Sequence, residues 1–164
     1  MTDQTSTPEA GAAAEDQAQF SLQKLYLKDI SFESPSAPMI FQEQGQPDLK
    51  LNLAQKVNSV GDDVYEVVLT VTVTNKVGEK TAFLAEVQQA GIFGIKGMEP
   101  AQLQATLGSY CPSVLYPYAR QVISDLVTHG GFPPLLLQPV NFDHIFAERL
   151  RQQQDEAGAV SGTA

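Results

Sequence analysis

Apolar and polar residues alternate with a period of two through most of the chain before residue 90, and the period then changes to three- and four-residue steps. From Phe20 to Ser34 the pattern predicts a strand with Phe20, Leu22, Tyr26, Ile30 and Phe32 on one face, interrupted by Lys24 and Lys28. Asp29, Ser31 and Glu33 lie on its other face. Ser34-Pro35-Ser36-Ala37-Pro38 breaks it. A second strand, Asp48 to Val57, turns Leu49, Leu51 and Leu53 inward and Lys50, Asn52 and Lys56 outward. After a turn at Gly61-Asp62-Asp63, Val64 to Asn75 carries the strongest strand signal. Tyr65, Val67, Leu69, Val71 and Val73 share one face and Thr70, Thr72 and Thr74 the other, and such β-branched residues favour extended backbone. The short connection Lys76-Val77-Gly78-Glu79 makes the next strand, Lys80 to Ala90, return antiparallel. Four strands in this order predict an antiparallel meander. Phe83, Ala85 and Val87 line one face of the fourth strand, and Leu84 interrupts the polar character of the other. One sheet face is thus expected under the chain's own helices and the other under a second subunit.

Gly91 to Met98 reads as an apolar, glycine-hinged loop containing Ile92, Phe93 and Ile95. Glu99-Pro100 then opens a long helix, with proline in a favourable first-turn position. Leu103, Leu107, Cys111, Val114, Tyr118, Val122 and Leu126 form its apolar stripe. Pro112 and Pro117 should bend or break this helix, and Gly130-Gly131 ends it. Phe132 to Pro139 is an apolar, proline-bounded connector. Asn141 caps a final helix, Val140 and Ile145 have the spacing of a hydrophobic staple, and the inward residues are Phe142, Ile145, Phe146 and Leu150. The fold class expected is α+β: a four-stranded antiparallel sheet with a long proline-interrupted helix and a C-terminal helix packed on it.

A chain of 164 residues has room for one domain. Its net charge of −9 is unevenly placed. Residues 1–19 hold Asp3, Glu9, Glu15 and Asp16 without a base, and residues 155–164 hold Asp155 and Glu156, whereas residues 20–154 are nearly balanced. The two small-residue ends are expected to be disordered acidic tails around a domain at 20–154. No basic stripe favours nucleic acid, and no apolar run is long enough for a membrane helix. Residues 1–19 lack the basic and apolar segments of a signal peptide, so a cytoplasmic location is expected. The single cysteine excludes an internal disulfide and a cysteine-based zinc cluster.

Catalytic readings fare poorly. Cys111 lies on the apolar stripe, where a free cysteine acts as a small hydrophobe, and His129 and His144 sit at helix ends as polar caps. Gly91, Gly94 and Gly97 match neither a P-loop nor a dinucleotide-binding spacing, and Asp62-Asp63 lacks further calcium ligands. No catalytic residue, metal or cofactor is expected. The apolar residues outside regular structure are the remaining feature, read either as a lid on the sheet or as a groove for another chain.

Six ordered segments carry a family likeness: Lys28 to Glu33, Asp62 to Leu69, Glu86 to Phe93, Tyr110-Cys111-Pro112, Tyr116 to Arg120, and Pro139 to Asp143. Together they resemble the SecB family of bacterial protein-export chaperones, from about Phe20 to Gln154. The C-terminal end departs from that pattern, with two acids and no base. The resemblance implies a homotetramer, a dimer of dimers, that holds unfolded precursor proteins without ATP and delivers them to the translocation ATPase SecA. It implies a SecA-binding surface at Asp29, Glu33, Leu84 and Glu86. Client binding is expected at Ile92, Phe93, Ile95, Met98, Phe132, Leu135 and Leu137, with Phe146 and Leu150. The oligomer interface is expected on the outer face of the fourth strand, at Ala85, Val87 and Gln89, together with the long helix. Alternative roles are service to a toxin–antitoxin system, or an adaptor for one folded partner.

Overall fold

Four long strands make the frame: β1 (Gln19–Glu33), β2 (Pro47–Gly61), β3 (Val64–Val77) and β4 (Lys80–Lys96). The computed structural model describes residues 17–160; the expected tails lie mostly outside this range. All pairings are antiparallel, but the sheet order is β1-β4-β3-β2. The predicted meander therefore holds for β2, β3 and β4 and fails for β1, which crosses over to pair with β4. A single 3-10 turn at Met39–Gln42, with Ile40 buried in the core, lies within that crossover.

The predicted loop at Gly91 to Met98 is a correction. Its first six residues continue β4, which pairs on both sides: Phe20 is opposite Ile95, Leu22 opposite Phe93, and Tyr65 opposite Phe93. The glycines serve close packing within the strand. A Cβ on Gly91 would lie 2.8 Å from the Phe93 ring, and one on Gly94 would lie 2.7 Å from the Gln23 amide.

Register assigns the faces, because opposite residues in an antiparallel pair project to the same side. Phe83, Ala85, Val87, Gln89, Phe93 and Ile95 of β4 share a face with Val67, Leu69, Val71 and Val73 of β3. In β1, register shifts between Leu22 and Lys24 and between Leu27 and Asp29 put Leu22, Leu25, Leu27, Ile30 and Phe32 on that face too. The shifts send Lys24 and Tyr26 to the opposite side, opposite Ile92 and Ala90. The lysines that interrupt the sequence pattern are thus accommodated by bulges, each of which inserts one residue and resets the alternation.

One helical run covers this inner face. It comprises α1 (Pro100–Ala105), a π-helical turn (Thr106–Tyr110) and α2 (Cys111–His129). Pro112 explains part of the irregularity. In the π turn the Cys111 N–H bonds the Thr106 carbonyl, five residues back; proline has no N–H to do the same for Leu107. The Gln55 side chain of β2 donates to that Leu107 carbonyl instead, at 2.5 Å. The residues of α2 in the core are Cys111, Leu115, Tyr116, Ala119, Ile123 and Val127. This stripe is rotated from the predicted one: Val114, Val122 and Leu126 are only half-buried, and Tyr118 is exposed. The helix is apolar on two sides, and the sheet takes one of them.

The final helix, α3 (Phe142–Val160), runs past Gln154, where the sequence reading began the tail. Ala157 and Ala159 are strong helix formers and Glu156 a good one. Asn141 caps this helix as expected, accepting the His144 N–H at 3.0 Å.

Candidate functional site: the outer face and an uncovered strip of the inner face

All four strands contribute to the outer face, which carries no helix among the described residues. Glu33 stands opposite Leu84, Ser31 opposite Glu86, and Asp29 opposite Gln88. The four residues Asp29, Glu33, Leu84 and Glu86 are therefore brought side by side on β1 and β4, as neighbours across one ladder. Thr72 of β3 donates to the Glu86 carboxylate at 3.0 Å. Leu84 and Glu86 are half-buried, and Asp29 is exposed.

The same face is tied together by Glu66, which is 8% exposed. Its carboxylate accepts from Lys28 at 2.7 Å, from Asn58 at 2.8 Å and from the Tyr26 hydroxyl. These partners come from β1 and β2, so one side chain on β3 links three strands. Lys28 first, then Tyr26 and Asn58, holds the Glu66 carboxyl down at about 2. Burial, with Glu66 beside it, pushes the Tyr26 hydroxyl up to about 12.

Ala85 and Val87 are 0% exposed. With Gln89 they lie on the inner face, beneath α2, and Gln89 donates to the Tyr26 carbonyl at 3.0 Å. The expectation that these three lie on an outer surface is thus corrected. The alternation was read properly but attached to the wrong side of the sheet. Apolar surface left over lies elsewhere: Leu22, Leu27 and Ile30 of β1, with Tyr110 and Tyr118 of the helical run, are exposed. Leu25, Leu27, Pro117, Tyr118, Gln121 and Val122 line one open cavity between these elements.

The expected client-binding residues have four different placements. Phe93, Ile95 and Leu137 are core residues; the first two are strand residues whose rings and methyls pack under α2, which leaves them no surface as placed. Ile92 projects to the outer face, opposite Lys24 and Glu66. Met98 packs against the core rim, where Thr106 donates weakly to its sulfur. The remaining four form two cavities. Phe132 and Leu135 meet Leu49, Phe83, Val127, Pro133 and Pro134 around a cavity of about 330 Å³. Phe132 lies 5.0 Å from the Phe83 ring and 5.2 Å from Phe41. Phe146 and Leu150 meet Gln55, Val57, Leu107 and Gly108 around another, of about 260 Å³.

Between these cavities runs the inner face of β2. Leu49 and Leu51 are more than two-fifths exposed, and Val57 is also exposed, because α2 lies over β3 and β4 and stops short of β2. From Leu49 to Val57 the strand spans about 26 Å at the rise of an extended chain. The alternation of these leucines is visible in the sequence. That no helix reaches them is a matter of tertiary placement, as is the exposure of Leu136 at 76%.

Buried Cys111 has its thiol pushed up to about 12 by desolvation, which keeps it protonated and unreactive. Among the described residues, no group of three or more His, Cys, Asp or Glu side chains is placed to hold a metal ion, and no helix is long and apolar enough to cross a membrane.

Comparison with known proteins accords with these features. The family model of the preprotein translocase subunit SecB matches residues 13–153. A protein-export protein SecB of Stenotrophomonas maltophilia is 54% identical over 142 residues, covering 87% of this chain and 83% of the relative. The SecB of Marinobacter nauticus is 52% identical and covers 90% of each chain. Among solved structures, a Mycobacterium tuberculosis SecB-like chaperone in complex with a ChAD peptide from an antitoxin matches with a TM-score of 0.61 at 18% identity. That match covers 74% of this chain and 90% of the other, a likeness of fold. The sheet, the long helical run and the extent of the match together place this chain in the SecB family of protein-export proteins.

Proposed function

We propose that this protein is an ATP-independent chaperone of the cytoplasm that binds unfolded precursor proteins, keeps them competent for translocation and delivers them to SecA. The observation that carries the reading is the uncovered inner face of β2, an apolar strip with a cavity at each end. An unfolded chain exposes apolar side chains at irregular intervals, and a long groove with two pockets accepts many spacings. Its affinity comes from apolar burial, at roughly 25 cal/mol per Å² removed from water before ordering costs. Leu135, Phe132, Phe146 and Leu150, expected in client binding, become the pocket walls in this reading.

Delivery uses the opposite face. Glu33 and Glu86 flank Leu84, with Asp29 further along the same ladder, as a charged border to an apolar contact suited to a basic surface on SecA. The homotetramer forms through the exposed apolar residues of β1 and the second apolar side of α2, leaving both working faces free.

The test is suppression of aggregation of a slowly folding precursor, without ATP. A Leu51→Ser, Leu150→Ser variant is expected to stay folded and lose most of that suppression; full activity would sink the groove assignment. An Asp29→Lys, Glu86→Lys variant should keep suppression and bind SecA more weakly, most visibly at low salt. Unchanged SecA binding at low salt would reduce these acids to a solvated face.

A further inference from the structure

The inner residues of β3 run Tyr65, Val67, Leu69, Val71, Val73 and then Asn75, a polar side chain at the end of an apolar row. Asn75 stands between Leu49 of β2 and Phe83 of β4 and forms part of the wall of the cavity at Phe132 and Leu135. Its Oδ1 is buried and accepts no hydrogen bond; among the described residues it is the buried side-chain oxygen or nitrogen left without a partner. A carbonyl kept in apolar surroundings without a donor is unfavourable, and a leucine would continue the row without that cost. The cavity wall therefore combines aromatic and aliphatic side chains with one unmet acceptor that the lining covers.

We propose that Asn75 is a specificity-determining residue of this cavity, and that its carbonyl accepts the indole N–H of a tryptophan in the bound polypeptide. This rests on the reading that the cavity receives client side chains. The complement of an apolar pocket with a lone acceptor is a large ring bearing one donor and no acceptor, which is indole. Phenylalanine leaves the carbonyl unmet. A tyrosine hydroxyl brings lone pairs that the apolar lining cannot satisfy. The rings of Phe83 and Phe132, 5.0 Å apart at 55°, suit a third ring at their edge. The oxygen is covered by the lining, and an entering ring displaces that cover. Leu135 belongs to an irregular segment with no strand or helix to break, so its movement is inexpensive.

The chain contains no tryptophan, so the fluorescence of a ligand reports on binding without background. Three otherwise identical short, unstructured peptides would carry a central Trp, 1-methyl-Trp or Phe, the last measured by competition. Methylation removes the N–H and keeps the ring. The Trp peptide is expected to bind at least about fivefold tighter than the 1-methyl-Trp peptide, the scale of one hydrogen bond to a buried acceptor. In Asn75→Leu the ratio between these two should fall to about one. Equal binding of the Trp and 1-methyl-Trp peptides to the unaltered protein overturns the proposal, whether or not Asn75→Leu folds. A Trp preference that survives in a folded Asn75→Leu overturns it as well. Failure of all three peptides to bind overturns this proposal and the client-binding reading together, whereas equal binding of all three removes the proposal alone.

Discussion

Glu66 concentrates more of the outer face's polar chemistry than any neighbour. Three donors converge on it, so its charge is compensated although the residue is nearly buried. Its folded pKa of about 2 lies below the ordinary 4.5, so the folded state holds the proton more weakly than the unfolded chain. The stabilisation is complete above about 4.5 and is lost as pH falls toward about 2. Glu66→Gln should therefore melt well below the unaltered protein at neutral pH, and the gap should close as the folded pKa is approached. Thermal melts of both proteins across that range check this, and a gap that stays constant would show that the ion cluster contributes nothing through its charge. Other carboxylates titrate in both proteins and cancel in the difference.

At the scale of elements, the helical run accommodates Pro112 because another element repairs the damage. Gln55 supplies from β2 the donor that Pro112 cannot. Replacing it with leucine leaves the Leu107 carbonyl without its partner, at a cost of about 1–3 kcal/mol. Urea unfolding of Gln55→Leu should show a lower midpoint at an unchanged slope. A midpoint equal to that of the unaltered protein would mean that water serves the carbonyl equally well. The extension of β4 through residues 91–96 is also an effect between elements. Its pairing with both β1 and β3 overrides the glycine spacing that reads locally as a loop.

For the whole molecule, the decisive quantity is which apolar surface remains after one chain has folded. Val87 is consumed by the core, and a charge there has no water and no partner. Val87→Asp should abolish cooperative unfolding rather than merely divide an assembly. Tyr118 is 48% exposed on the free side of α2, so Tyr118→Asp should leave the fold intact and weaken self-association. Circular dichroism together with sedimentation separates the two cases. A folded but dissociated Val87→Asp protein would overturn its place in the core and return Ala85, Val87 and Gln89 to the interface.

Local pattern determined the existence of the four strands and the two helical regions, though not the length of β4, and a local capping residue placed the start of α3 at Asn141, because these depend on neighbours within a few residues. The likeness of short segments added Asp29, Glu33, Leu84 and Glu86, and their alternation already put each pair on one strand face. Tertiary structure decided the rest. The crossover that puts β1 beside β4 brings the two pairs together, and pairing partners distant in sequence cannot be read from alternation. Which sheet face the helices cover also escaped the pattern, since β4 is partly apolar on both sides; hence Ala85, Val87 and Gln89 proved internal. The groove along β2 exists because α2 ends its cover at β3. A strand's hydrophobicity records that it needs a neighbour, and only the packed molecule shows whether that neighbour belongs to the same chain.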